Sequence, residues 1–350
     1  MATNGTIKVL VVDDSAFMRN AIVKMITTDA EFQVIGTARD GVEAVDKVLS
    51  LKPDIVTLDI EMPRMNGLEA LRIIMDKHPV PVIVVSALTT EGAKETIEAL
   101  ELGAVDFIPK NLADLSINIF NIKETLLKKL KLIAKKRMNF NRRPSSEAPL
   151  SINKKTFEGK RRAAIVSIGA STGGPKVLQK LVPALPAELP VPVVVAQHMP
   201  REFTKVFAER LNQLSKLTVK EAEQGEPLSQ GTVYIAPGGS HLIVKRQKPL
   251  KMMVEIKEPD VNVLYKPSVD LLFSSVADTF GGSTIGVVLT GMGQDGLEGA
   301  RKIKENGGYI IAQDEQTSVI YGMPRAVVEA GLADKVLPED EIAGEIINNL

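Results

Sequence analysis

Apolar residues come in short β-rich runs separated by longer stretches with helical spacing, and the alternation begins at Ile7. In the first part of the chain the runs predict strands at Ile7 to Val12, Gln33 to Ala38, Ile55 to Leu58, Pro81 to Val85 and Val105 to Ile108, with helices filling the gaps. A parallel crossover needs a helix to return the chain, so repeated βα units of this length predict a parallel sheet covered on both faces. Later in the chain the runs Ala163 to Ile168, Val191 to Gln197 and Ser283 to Leu289 predict further strands, with helical patterns from Lys176 to Leu181 and from about Leu297. The expected fold class is α/β, with two doubly wound domains, the first five-stranded and parallel and the second mainly parallel.

Between these halves the pattern fails. Arg143-Pro144-Ser145-Ser146 has neither period, and from Phe120 to Arg162 fourteen Lys or Arg stand against Glu124, Glu147 and Glu158. Formal net charge is zero, so the rest of the chain is correspondingly acidic. Nucleic acid could meet such a run, but it holds a single aromatic, Phe140, between its first residue and Phe157, and no binding motif, which favours a solvated linker. The boundaries expected are 5–125 for the first domain, 126–160 for a basic linker whose start is the last helix of that domain, and 161–350 for the second. A length of 350 residues suits about two domains at roughly 150 each.

Composition narrows the chemistry. With no Cys, the chain can form no disulfide, thiolate metal site or cysteine nucleophile, and His78, His198 and His241 are its only histidines. The longest apolar runs fall far short of the ~20 residues of a membrane span, and no charged-then-apolar leader opens the chain, so a cytoplasmic protein without membrane insertion is expected.

In the first domain polar residues sit where strands end. Asp13 and Asp14 follow the first strand, Asp59 the third, Ser86 the fourth and Lys110 the fifth, so all five should converge on one edge of the sheet. Clustered carboxylates repel unless a hard cation joins them, and such oxygen ligands suit Mg²⁺. One carboxylate could then attack a phosphoryl group, with Lys110 and Ser86 neutralising its oxygens. The segments Val11-Val12-Asp13-Asp14-Ser15, Leu58-Asp59-Ile60-Glu61-Met62-Pro63, Asn66-Gly67, Ser86-Ala87 and Pro109-Lys110 resemble a response-regulator receiver domain. That resemblance implies a flavodoxin-like fold, phosphate transfer from a histidine kinase to Asp59, and a metal held by Asp14, Asp59 and the Glu61 carbonyl, with Asp13 acting through water. Two positions depart from the commonest pattern: Lys110 follows a proline, and the aromatic switch position is Phe107, which has no phenolic hydroxyl.

The second domain opens with a strand that runs into Gly169-Ala170-Ser171-Thr172-Gly173-Gly174-Pro175 and then a helix. A dinucleotide site would want G-x-G-x-x-G and an acidic end to the next strand, which instead ends in Gln197-His198; a Walker A loop would want Gly-Lys-Ser/Thr. A third reading makes Ser171 a nucleophile, with Thr172 and its neighbours aiming N–H groups at an oxyanion. A lone serine there could equally be a helix cap. Partners strengthen the third reading: His198 ends a second strand, and Asp295 lies in the glycine loop Thr290-Gly291-Met292-Gly293-Gln294-Asp295-Gly296 after another. Parallel strands would put nucleophile, base and orienting acid on one edge. His78 reads as a surface residue, and His241 as structural or near substrate, away from that edge.

The order Ser, His, Asp and the lack of G-x-S-x-G exclude ordinary α/β hydrolases. The second half instead resembles the chemotaxis protein-glutamate methylesterase family, through Ile168 to Pro175, Gln197-His198-Met199-Pro200, Pro267-Ser268-Val269-Asp270 and Leu289 to Gly296. The resemblance implies a Rossmann-like domain with no esterase cofactor, whose substrates are glutamyl methyl esters, and selected glutamines, on the cytoplasmic domains of chemoreceptors. Oxyanion donors would come from the Ser171 turn and the Met292 loop, and Arg201 would either meet an acidic receptor surface or merely start a helix. It also implies that the unphosphorylated receiver covers the Ser171 edge until Asp59 is phosphorylated. The competing expectation is a response regulator whose second half binds a partner or nucleotide without catalysis.

Overall fold

The computed structural model describes residues 6–110, 119–140, 163–248, 251–260 and 262–350. The chain divides into two compact units between residues 145 and 146.

In the first unit β1 (Ile7–Val12), α1 (Ala16–Thr27), β2 (Phe32–Ala38), α2 (Gly41–Leu51), β3 (Ile55–Asp59), α3 (Gly67–Lys77), β4 (Val82–Ala87), α4 (Thr90–Glu101), β5 (Asp106–Lys110) and α5 (Ile119–Phe140) follow in turn. The strands form one parallel sheet in the order β2-β1-β3-β4-β5. Chain direction across the sheet reverses between β1 and β3, which opens a crevice at their carboxyl ends. Asn66-Gly67 turns out to start α3: Asn66 Oδ1 accepts the Glu69 N–H and Glu69 Oε2 accepts the Asn66 N–H, a reciprocal cap. Lys129 of α5 pairs with Asp106 at 2.7 Å and donates to the Phe107 carbonyl, fastening that helix to β5. Residues 126–140 of the expected linker are thus helix, and 141–160 lie outside the described residues.

The second unit contains β6 (Ile165–Ala170), α6 (Gly174–Ala184), β7 (Val193–Gln197), α7 (Arg201–Leu214), β8 (Thr218–Glu221), β9 (Thr232–Ile235), β10 (His241–Lys248), β11 (Lys251–Lys257), α8 (Val269–Phe280), β12 (Thr284–Val288), α9 (Leu297–Glu305), β13 (Tyr309–Gln313), α10 (Met323–Glu329), β14 (Lys335–Leu337) and α11 (Ile342–Asn348). Seven strands make a parallel sheet in the order β14-β13-β12-β6-β7-β9-β8, and β10 and β11 form a separate antiparallel hairpin. Here the reversal falls between β6 and β12. The first strand runs on past Ile168, because Gly169 and Ala170 still pair with Ala196 and Gln197 of β7; glycine there is strand, not yet turn. Central strands are buried on both faces, with Phe203, Phe207 and Phe273 among the largest fully buried side chains. The unit also closes on itself, since the Ala163 N–H donates to the Asn349 carbonyl at 3.2 Å.

Candidate active site and acidic pocket

The first unit gathers Asp13, Asp59 and Lys110 at the crevice between β1 and β3. Asp13 and Asp59 are buried, and the Lys110 ammonium lies 3.0 Å from Asp13 Oδ2 and 2.6 Å from Asp59 Oδ2. One carboxylate oxygen each of Asp13, Asp14 and Asp59 lies within 4.8 Å of the others. Burial pushes the Asp59 carboxyl up to about 6 against the pull of Lys110, with the charges of Asp13 and Asp14 adding to the rise. Asp13 is raised by burial too. Burial acts against the Lys110 ammonium, but Asp59 and Asp13 outweigh it and raise its pKa. The donor set is all hard oxygen with negative charge to spare, so these residues fit a divalent cation such as Mg²⁺. Ser86 is brought to the same strand ends, yet its Oγ donates to the Gly92 carbonyl at 3.0 Å and not to a member of this cluster. Glu61 lies just beyond β3, exposed.

In the second unit the strand register does the positioning. Ala170 and Gln197 are paired across β6 and β7, so Ser171 and His198, one residue on, leave neighbouring strand ends. Three backbone bonds hold this corner: the Ser171 N–H donates to the Thr290 carbonyl, the His198 N–H to the Ala170 carbonyl, and the Gly174 N–H to the Ser171 carbonyl. Gly173 takes φ +78°, a left-handed conformation that glycine adopts without steric cost, and so turns the chain into α6. The buried Gln197 side chain ties the Ser171 turn to His198, donating from Nε2 to the carbonyls of Ser171 at 3.0 Å and His198 at 3.2 Å.

His198 Nε2 lies 2.8 Å from Asp295 Oδ2, while His198 Nδ1 is buried with no hydrogen-bond partner. Among the described residues no hydrogen bond joins Ser171 Oγ to the imidazole, so the serine–histidine contact of the expected triad is open in this structure. Such contacts commonly tighten only when substrate binds. The N–H groups of Thr172 and Met292 donate to no acceptor among the described residues, which leaves both able to meet an oxyanion.

Asp295 is held by the start of α8. Val269 N–H donates to its Oδ2 at 2.8 Å, and Asp270 N–H and Ser268 Oγ donate to its Oδ1 at 3.0 and 3.1 Å. Burial works against this carboxylate, but His198 and the helix N–H groups prevail and hold it below the usual range. Asp270 returns the favour to α9, accepting the Gly296 and Gly299 N–H groups at 2.9 and 2.7 Å. Burial, partly offset by those N–H groups and reinforced by the Asp295 charge, raises Asp270 to about 6.

Sequence reasoning read His241 as structural or near substrate; it does open β10, but it lies nearer the acid than that reading placed it. It is fully buried, and its Nδ1 accepts the N–H of Ser268, whose hydroxyl in turn meets Asp295. The hairpin β10–β11 lies outside the parallel sheet, so an argument from sheet edges had no means of locating it. Tyr265 also went unnoticed: its ring stacks on that of His198. Nothing in the local pattern marks Tyr265, whereas Ser268 and Asp270 fall in a quoted motif without a role attached. Arg201 begins α7 and is exposed, and His78 is half-buried at the end of α3.

The CheB methylesterase family matches residues 166–346, and the response regulator receiver domain matches residues 9–118. A protein-glutamate methylesterase/protein-glutamine glutaminase of Lawsonia intracellularis is 47% identical over 356 residues, covering 98% of this chain and 99% of the relative. One of the same description from Thermotoga maritima is 47% identical over 349 residues and covers 99% of each chain. The crystal structure of the Thermotoga maritima CheB methylesterase catalytic domain is 46% identical and superposes with a TM-score of 0.52 over 54% of this chain and 99% of that one.

Proposed function

The chain belongs to the CheB methylesterase family and carries a response regulator receiver domain, and on that premise we propose that Ser171, His198 and Asp295 hydrolyse glutamyl methyl esters on chemoreceptors. The observation that carries the assignment is the imidazole's arrangement: Nε2 is taken by Asp295, leaving the unpartnered Nδ1 as the atom to receive a proton. Ser171 Oγ attacks the ester carbonyl while Nδ1 removes its proton, and the Thr172 and Met292 N–H groups receive the developing oxyanion. The imidazolium returns the proton to the departing methoxide, which leaves as methanol. Water then attacks the acyl-enzyme with His198 again as base, releasing glutamate and Ser171. A glutamine side chain follows the same course with ammonia leaving.

A chain of this family that only bound a partner or nucleotide is not favoured by relatives described as enzymes over their whole length. Action in the cytoplasm fits the receptor domains concerned; no described helix is long and apolar enough to cross a membrane. In the first unit Asp59 accepts phosphate from a histidine kinase, Lys110 neutralises the phosphoryl oxygens, and phosphorylation raises esterase turnover. Asp14, Asp59 and the Glu61 carbonyl would hold Mg²⁺, with Asp13 behind them, and the ion would supply positive charge to the phosphoryl oxygens.

Methanol release from methylated receptor fragments tests the assignment. Ser171→Ala should lower kcat by about 10⁴-fold or more with folding intact. Residual turnover within tenfold of the wild-type chain would remove Ser171 from the reaction.

A further inference from the structure

An imidazole fastened at one nitrogen is not yet aimed. The bond from Asp295 Oδ2 to Nε2 fixes one point of the His198 ring, and Nδ1 has no partner to fix a second. Tilting about that single bond would swing Nδ1 away from Ser171 at little cost. The Tyr265 ring removes this freedom, because it lies flat on the imidazole with centroids 4.3 Å apart and planes within 4°. Its aromatic face also covers one side of the base against water, and favours the cation formed when Nδ1 takes the serine proton.

The same tyrosine reaches the loop that carries the acid. A Cβ at Gly293 would stand 2.7 Å from Tyr265 Oη, and Gly293 has φ +84°, so both conformation and space at that position require glycine. Gly293 lies between Met292, whose N–H faces the oxyanion in the reading above, and Asp295. Tyr265 therefore bridges base and loop from a segment that reaches Ser268, the N-cap of α8, three residues later.

We propose that Tyr265 is a positioning residue of the hydrolase site: its ring face, more than its hydroxyl, sets the plane of the His198 imidazole so that Nδ1 addresses Ser171. The proposal rests on the Ser171, His198 and Asp295 reading. It is tested in the full chain with Tyr265→Phe, which keeps the face, and Tyr265→Leu, which fills the space without one. Tyr265→Met gives the same loss should the leucine variant not fold. The phenylalanine variant should keep kcat within about threefold, and the non-aromatic variants should lose about tenfold or more, with KM changed by less than about twofold, as expected for lost orientation rather than lost binding.

A second readout needs no turnover. The His198 ring protons, assigned by their loss in His198→Gln, should show upfield ring-current shifts in the wild-type and Tyr265→Phe spectra and move downfield in Tyr265→Leu or Tyr265→Met. Full kcat in the non-aromatic variants, a loss in Tyr265→Phe as large as theirs, or ring protons indifferent to the substitution would overturn the proposal. A wild-type chain that released no methanol would instead strike at the hydrolase reading, and the ring shifts would still decide whether Tyr265 orients the imidazole.

Discussion

Asp270 and Asp295 show how two like residues, close together, are shifted in opposite directions from the usual carboxylate range. Asp295 keeps its proton off because His198 and the first N–H groups of α8 favour the anion; Asp270 keeps its proton longer because burial and the neighbouring charge disfavour a second one. A carboxyl raised from 3.8 to about 6 in the folded chain binds more protons there than when unfolded between those values. Its contribution to stability is complete below about pH 4 and is lost as pH rises through 6. Asp270→Asn, which retains an acceptor for the Gly296 and Gly299 N–H groups, should erase this component: the stability of the wild type relative to the variant should fall between pH 4 and 6. Denaturant melts across that range measure it, and a difference that is flat or rises would refute it. At this scale Ser171, His198 and Asp295 stood out as candidates in the sequence because each lies at a strand end or beside glycine. Tyr265, Gln197, Asp270 and His241 were not, since their roles arise from contacts between segments remote along the chain.

The elements read from sequence are strands buried along all or nearly all of their length, which leaves a predominantly apolar run, as in β1, β3, β6 and β12. β8 and β14, four and three residues long, are too short to show a period. The hairpin β10–β11 buries Leu242, Val244 and Val254 while exposing Lys245, Arg246 and Lys251, a half-buried alternation that a search for parallel strands passes over. Helix starts carry the chemistry here. Ser268 accepts the Leu271 N–H as N-cap of α8 and donates to Asp295, so Ser268→Ala should cost about 1–2 kcal/mol of stability. It should also lower kcat severalfold by loosening the acid, and equilibrium unfolding with methanol release on the same preparation reads both. An effect on stability alone would show that α8 holds Asp295 through backbone N–H groups only.

On the scale of the molecule, both units obey one rule: polar residues collect where neighbouring crossovers diverge, between β1 and β3 and between β6 and β12. A phosphoacceptor and a hydrolase joined in one chain predict control of one by the other. A small phosphodonor with Mg²⁺ should raise methanol release by the wild type and leave Asp59→Asn unchanged; an equal response in both would separate Asp59 from regulation. Which surface of the first unit conveys this signal was not legible in the sequence, because periodicity reports what an element buries within its own sheet and says nothing of a partner surface.

The bond between Ala163 and Asn349 has a topological consequence. The catalytic half is effectively a ring with one cut, whose two ends meet at the same spot. Its ends could be sealed and the ring reopened at another exposed loop with the strand order unchanged, so the architecture of this half does not depend on the chain that precedes it.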